Sequence, residues 1–234
     1  MRKIIKILIL ILLTSGITGS LHSQNYRKLK HKITKQQLRA ANKDAKVFWK
    51  WFKTNINKIE NIENNPAIKT ELSLRLNKYF KGLSYLLGKT PENYELVISC
   101  AGNSEVAPWV VVLTDKAPEI ENWKIIPFIQ PKQKLSSEFT IYDVTIKKEE
   151  PRIIVDTTGN GYLGITVFLN DKRIFSEAEY AIILAYLQEI YGEFNLMYNV
   201  SLTNILPKNL IGNRTTISLS ELFELNNKRN KPKS

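Results

Sequence analysis

The sequence predicts an α+β fold: an N-terminal helical hairpin followed by a mainly antiparallel sheet with two or three packed helices. Three observations lead there. Leu38, Ala41, Ala45, Phe48, Phe52, Ile56 and Ile59 recur at steps of three and four, the spacing of one helix face. Short runs rich in branched residues, such as "YELVISC" and "YLGITVFL", alternate with turn-forming segments. "T-x-x-Q" at Thr34–Gln37 and "S-x-x-E" at Ser176–Glu179 are capping boxes that mark helix starts.

The first residues read as an export signal. Arg2, Lys3 and Lys6 form a positive region that overlaps the start of the apolar run Ile4–Leu13, which is followed by small and polar residues up to Ser23. The apolar run is shorter than the about 20 residues a membrane span needs. Cleavage is expected after Ser23, with Ser20 as second candidate and an uncleaved anchor as the alternative. The expected localisation is the periplasm or the extracellular space, with no transmembrane segment in the mature chain. The expected organisation is a signal peptide over 1–23, a basic arm and helical hairpin over 24–82, an α+β domain over 83–227, and a basic tail over 228–234.

Within the hairpin, Lys35, Arg39, Lys43, Lys46, Lys50 and Lys53 fall off the apolar stripe and face water. "ENNP" separates the two helices, with Asn65 as N-cap and Pro66 at the first helical position. Ile68, Leu72, Leu76 and Tyr79 form the second stripe, and Gly82 fits the position just past the helix end. "LSYLL" and "YELVISC" then read as an antiparallel pair. "VAPWVVVLTDKA" is assigned to a helix on its flanking turn residues. "NWKIIPFI" is a strand, and Pro127, which lacks a ladder donor, argues for an edge or a bulge. "EFTIYDVTI" is one strand segment, and "RIIVD" and "YLGITVFL" are a hairpin around "TTGNG". "SEAEYAIILAYLQEIYG" is a helix closed by Gly192, "FNLMYNVSL" a strand, and "LSELFELN" a final helix capped by Ser218 and Glu221.

Charge and chemistry narrow the function classes. The chain carries a formal +12; removing Arg2, Lys3 and Lys6 leaves 31 basic residues against 22 acidic ones. The excess concentrates in "YRKLKHKITK" and "NNKRNKPKS", which gives the basic termini an anionic surface as one expected partner. "DTTGNGYLG" resembles a calcium loop in spacing, but Val167 stands where the bidentate Glu should be, so a turn without metal is expected. Cys100 excludes an intrachain disulfide, being the one cysteine, and alternation places it with Leu96 and Ile98 on a buried strand face. His31 is the one histidine after the signal, so histidine-based catalysis and zinc sites of two or more His or Cys are not expected. No cofactor is expected.

The candidate ligand-binding residues are Trp51, an aromatic pointing away from the helix core, and Gly102, Asn103 and Ser104, a strand-to-helix loop whose backbone N–H groups could receive an anion. The leading reading is an exported non-catalytic protein that binds an unknown protein or envelope ligand. The alternative is a carboxylate-based envelope hydrolase drawing on Asp143, Asp156, Glu179 and Glu193. "FWKWFKTN", "KYFKGLSYLLG", "YELVISCAGNSEVAPWVVVLTDKAPEIENWKIIPFIQP" and "YLQEIYGEFN", in that order, resemble an uncharacterised family of bacterial α+β proteins, with "APEIENWKIIPF" the most specific block. Asn195 stands where that family's pattern has an acidic residue. The resemblance implies a fold and carries over no functional residue.

Overall fold

The structure is a computed structural model that describes residues 26–157 and 162–230. The chain is α+β and divides into two compact units at Ile129/Gln130, so the helical hairpin shares its unit with the first sheet. Among the described residues, the sheets are mixed: four strand pairings are antiparallel and two are parallel. No described helix is long and apolar enough to cross a membrane.

The first unit begins with a 3-10 turn, Tyr26–Lys32, and then the long helix α1, Lys35–Thr54. Both halves of the Thr34–Gln37 capping box form. The periodicity suggested one helix through Ile59, but the helix breaks at Asn55. Its N–H bonds Trp51 O and Phe52 O, and its side-chain amide donates to Trp51 O at 2.9 Å, so the terminal carbonyls are satisfied locally. A short helix α2, Ile56–Glu60, keeps Ile59 in the core. Helix α3, Pro66–Tyr79, starts as expected, with Asn65 Oδ1 accepting from Ile68 N and Pro66 at the first position. It ends on extended Phe80, so Gly82 lies one residue beyond its expected place. Gly82 has φ +98°, and a Cβ there would meet Val106 Cγ2 at 3.3 Å, which accounts for glycine.

Strands β1 (Ser84–Lys89), β2 (Tyr94–Ser99) and β3 (Trp123–Pro127) form a sheet in that order. β1 and β2 are antiparallel, Leu86 opposite Val97. β2 and β3 are parallel, Leu96 opposite Ile125, and the crossover between them carries helix α4, Ala107–Thr114. Pro127 ends an edge strand, where its missing N–H breaks no ladder. Leu96, Ile98 and Cys100 share one buried face, but Val97 and Ser99 on the other face are buried too. β2 is thus a central strand covered on both sides, which explains its unbroken apolar run.

An aromatic seam joins α1 to this sheet. Phe52 is fully buried, edge-on to Trp123 at 5.2 Å, and Trp123 stacks on Tyr94 at 5.1 Å. Trp49 Nε1 donates to Leu113 O at 2.8 Å, and Trp123 Nε1 to Glu60 Oε1 at 3.0 Å. Both indole N–H groups have partners, as burial of tryptophan requires.

In the second unit, the segment read as one strand is a hairpin: β4, Glu138–Ile141, and β5, Val144–Lys147. Tyr142, at φ +54°, reverses the chain, while Phe139, Ile141 and Ile146 stay buried. A second sheet runs in the order β8-β7-β6-β9, with β6 Arg152–Thr157, β7 Leu163–Phe168, β8 Val200–Leu206 and β9 Ile217–Ser218. β6 and β7 pair antiparallel up to Thr157 opposite Leu163; the expected turn at 158–161 lies outside the described residues. β7 and β8 are parallel, and the crossover carries α5, Glu177–Tyr198.

Gly192 does not close α5. It kinks the helix at φ +73°, and the chain then resumes helical turns through Tyr198. Residues 194–198, expected as strand, are therefore helical. Asn195 Nδ2 donates to Tyr191 O across the kink, and Asn199 N caps the end on Asn195 O. The last helix, α6, spans Leu219–Asn230. Ser218 N donates to Glu221 Oε2 at 2.7 Å and Glu221 N to Ser218 Oγ at 3.1 Å, which caps it as expected.

Complete burial makes the Cys100 thiol unreactive in the folded chain. Maleimide labelling of the native protein is expected to be slow and to become fast in denaturant. Labelling of the folded chain at the denatured rate would show that the β2 face is open.

Candidate functional site

The sequence candidates fall into two places in the first unit. Ser99 to Ala107 form the loop between β2 and α4. Ala101 and Gly102 both have positive φ, +52° and +72°. Ser99 Oγ accepts from Ala101 N, and Cys100 O accepts from Asn103 N. Asn103 Oδ1 accepts from Glu105 N, and Asn103 O from Val106 N and Ala107 N. The Asn103 N–H is therefore turned back onto its own loop, and Asn103 acts as a local turn former. A Cβ at Gly102 would meet nothing within 4 Å, so its backbone conformation, not crowding, requires glycine. Ser104 is exposed on the same loop.

Trp51 is half-buried on the outer flank of α1. The Arg75 guanidinium of α3 lies 5.3 Å from its ring centroid, and Arg75 is itself paired with Glu71 at 3.0 Å. Phe48 lies 6.1 Å away on the inner side. Val47, one turn earlier on α1, is 57% exposed.

The carboxylates proposed for catalysis sit in different settings within the second unit. Asp143 is exposed in the β4–β5 turn, and Asp156 is exposed on β6. Glu193 is buried just after the Gly192 kink. Glu179 is 2% exposed and belongs to the capping box: it accepts from Ser176 N at 2.7 Å, Ser176 Oγ at 3.0 Å and Asn170 Nδ2 at 3.2 Å, with Lys172 at 3.5 Å. Burial opposes its ionisation, but the Ser176, Asn170 and Lys172 contacts more than offset it and hold its carboxyl below the usual range. Among the described residues, no group of three His, Cys, Asp or Glu is placed to hold a metal ion.

A more tightly built cluster lies at Glu189, which the sequence reading did not single out. Its side chain is fully buried in α5. Oε1 accepts from Ser136 Oγ and Lys132 Nζ, each at 2.6 Å, and Oε2 from Ser136 N at 2.8 Å. The backbone O of Glu189 accepts from Lys132 N at 2.8 Å. One turn earlier, Tyr186 Oη donates to Ile146 O at 2.8 Å and lies 3.3 Å from Ser137 O. Burial first, and then Glu189, push the Tyr186 phenol well above its usual range. Lys132 Nζ is 3.4 Å from Ser136 Oγ, a serine–lysine spacing. A lysine base must be neutral, whereas here both groups are committed to one carboxylate. The cluster therefore braces segment 130–137 against α5. Its signal in the sequence is a glutamate inside "IILAYLQEIYG", a stretch whose other residues, Gln188 apart, are apolar or aromatic or glycine.

Two buried polar atoms have no hydrogen-bond partner among the described residues: Tyr79 Oη and Glu95 Oε1. Glu95 points from β2 to the sheet face opposite Leu96, between Gly88 and Lys124 on the neighbouring strands. Burial, followed by the Asp44 charge, pushes the Tyr79 phenol well above its usual range. No family model, curated protein or solved structure matches the chain.

Replacing Glu189 with Ala leaves the half-buried Lys132 and the Ser136 N–H without their acceptor, and is expected to cost about 3 kcal/mol, the lower end of the range for breaking a buried pair. Urea unfolding measures it; a loss below about 1 kcal/mol would show that the brace is dispensable. The lowered Glu179 pKa contributes stability that is complete above the unfolded value, about pH 4.3, and lost as pH falls through the folded one. Glu179→Gln should therefore flatten the acid limb of the stability curve. An unchanged limb in that variant would refute the linkage.

Proposed function

We propose that the chain is an exported, non-catalytic binding or interaction protein of the cell envelope. The observation that carries this reading is how two of the buried carboxylates of α5 are used. Glu189 gives both oxygens to Ser136 and Lys132, and Glu179 gives its own to the Ser176 cap, Asn170 and Lys172. General acid–base catalysis needs a carboxylate with an oxygen turned toward substrate, and these two are turned inward. Of the other candidates, Glu193 is buried on α5 just after the kink, while Asp143 in the β4–β5 turn and Asp156 on β6 stand exposed, which suits solvated surface charge. Membership of the uncharacterised bacterial family, on the "APEIENWKIIPF" block, is part of the same proposal.

The test is to incubate the purified chain with washed envelope fragments. Saturable co-sedimentation is expected, with soluble sugar, peptide and acyl products staying at the level seen without protein. Product release that disappears in Asp143→Asn or Asp156→Asn would establish a carboxylate hydrolase instead.

A further inference from the structure

The outer face of α1 is more strongly organised than its neighbours. Lys35, Arg39, Lys43, Lys46, Lys50 and Lys53 are all exposed. At 3.6 residues per turn they fall within about 80° of arc, opposite the buried Ala41, Ala45, Phe48 and Phe52, and span about 27 Å along the axis. None of the six forms an ion pair among the described residues. Asp44, the only acidic residue of α1, lies outside the stripe, on the side from which its charge reaches Tyr79. Like charges this close repel, and nothing on the helix compensates them. Such a stripe is held in place here because the aromatic seam fixes the opposite face of α1.

We infer that this face docks the protein onto an anionic phospholipid surface. The inference rests on the reading as an exported binding protein and names its partner. Six cations in one line on a straight helix can meet a flat plane of phosphate headgroups together. Each basic residue near such a surface adds to the attraction, and the sum falls off within a Debye length. Exposed Val47 and half-buried Trp51 flank the stripe on one side. A tryptophan beside cations suits the headgroup level, where amphipathic rings settle. Nucleic acid is the other polyanion of this charge, but the stripe is nearly all lysine. Its one guanidinium, Arg39, with Gln36 and Asn42 at its margins, offers few of the side chains that read base edges. The basic termini anticipated from composition are not needed for the contact, because α1 supplies the charge on a fixed scaffold.

The test is co-sedimentation of the full chain with two kinds of vesicle, phosphatidylcholine alone and phosphatidylcholine with phosphatidylglycerol. Preferential retention on the anionic vesicles is expected, falling steeply as salt rises from about 0.05 M to about 0.5 M. The triple variant Lys43→Glu, Lys46→Glu, Lys50→Glu should lose at least about tenfold in partitioning, and the corresponding triple Gln variant should fall between. Both sets replace exposed lysines with good helix formers, and circular dichroism checks that α1 persists. The N-terminal segment, with Arg2, Lys3 and Lys6, is common to all the variants, so the differences among them report on α1. Equal retention on the two vesicles, or retention of the Glu variant at the wild-type level, overturns the inference. So does release from the anionic vesicles by duplex DNA at equal phosphate concentration, which would make nucleic acid the preferred partner. Retention is read without a catalytic assay, so its loss leaves the binding-protein reading to the envelope experiment.

Discussion

Burial of the Phe52 ring against Trp123 is the contact on which the first unit depends. A single helix in water with so many lysines on one side is marginal, because helix stability in proteins comes mainly from packing an amphipathic face. Here α1 commits Phe48, Trp49 and Phe52 to the core, and β3 meets them with Trp123. The indole hydrogen bonds to Leu113 O and Glu60 fix the rotation of the helix as well as its depth. Apolar burial alone is non-directional; the two N–H groups make it specific. That rotation decides which residues of α1 face solvent.

The second unit solves a related problem with charge. Helix α5 is apolar on nearly all sides and could slide within an apolar setting at little cost. Glu189 and Tyr186 remove that freedom, because each has to meet particular partners in segment 130–137 and on β5. A buried ion pair contributes little net stability compared with a well-packed apolar substitute, but losing one partner is costly. Its contribution here is register: one placement of 130–137 on α5 satisfies the carboxylate, the lysine and the serine together.

Much of the fold was legible because it is written in local chemistry. The capping boxes at Thr34, Ser176 and Ser218 appear where the sequence placed them, as does the Asn65–Pro66 helix start. The errors share a cause. Asn55 breaks a pattern that periodicity would have continued, Tyr142 turns a chain that alternation would have run straight, and Gly192 kinks a helix that it was expected to end. Each is a single residue whose backbone angles interrupt a regular pattern. The parallel pairings of β2 with β3 and of β7 with β8 are tertiary facts with no local signature beyond an apolar run and an intervening helix. For the candidate site, Gly102 and Asn103 were identifiable as loop formers, but where their hydrogen bonds go depends on Cys100 and Glu105. Glu189 was visible as an anomaly in an apolar helix, yet nothing in sequence ties it to Lys132 and Ser136 more than fifty residues away.

The central claim is that the aromatic seam makes α1 a fixed part of the first unit and not an appended arm. Native-state hydrogen exchange measures this directly. Amides of Ala45, Trp49 and Phe52 are expected to exchange only with global opening, at the same free energy as Leu96 and Ile98 in β2. Exchange of the α1 amides near the unprotected rate while β2 stays protected would contradict it.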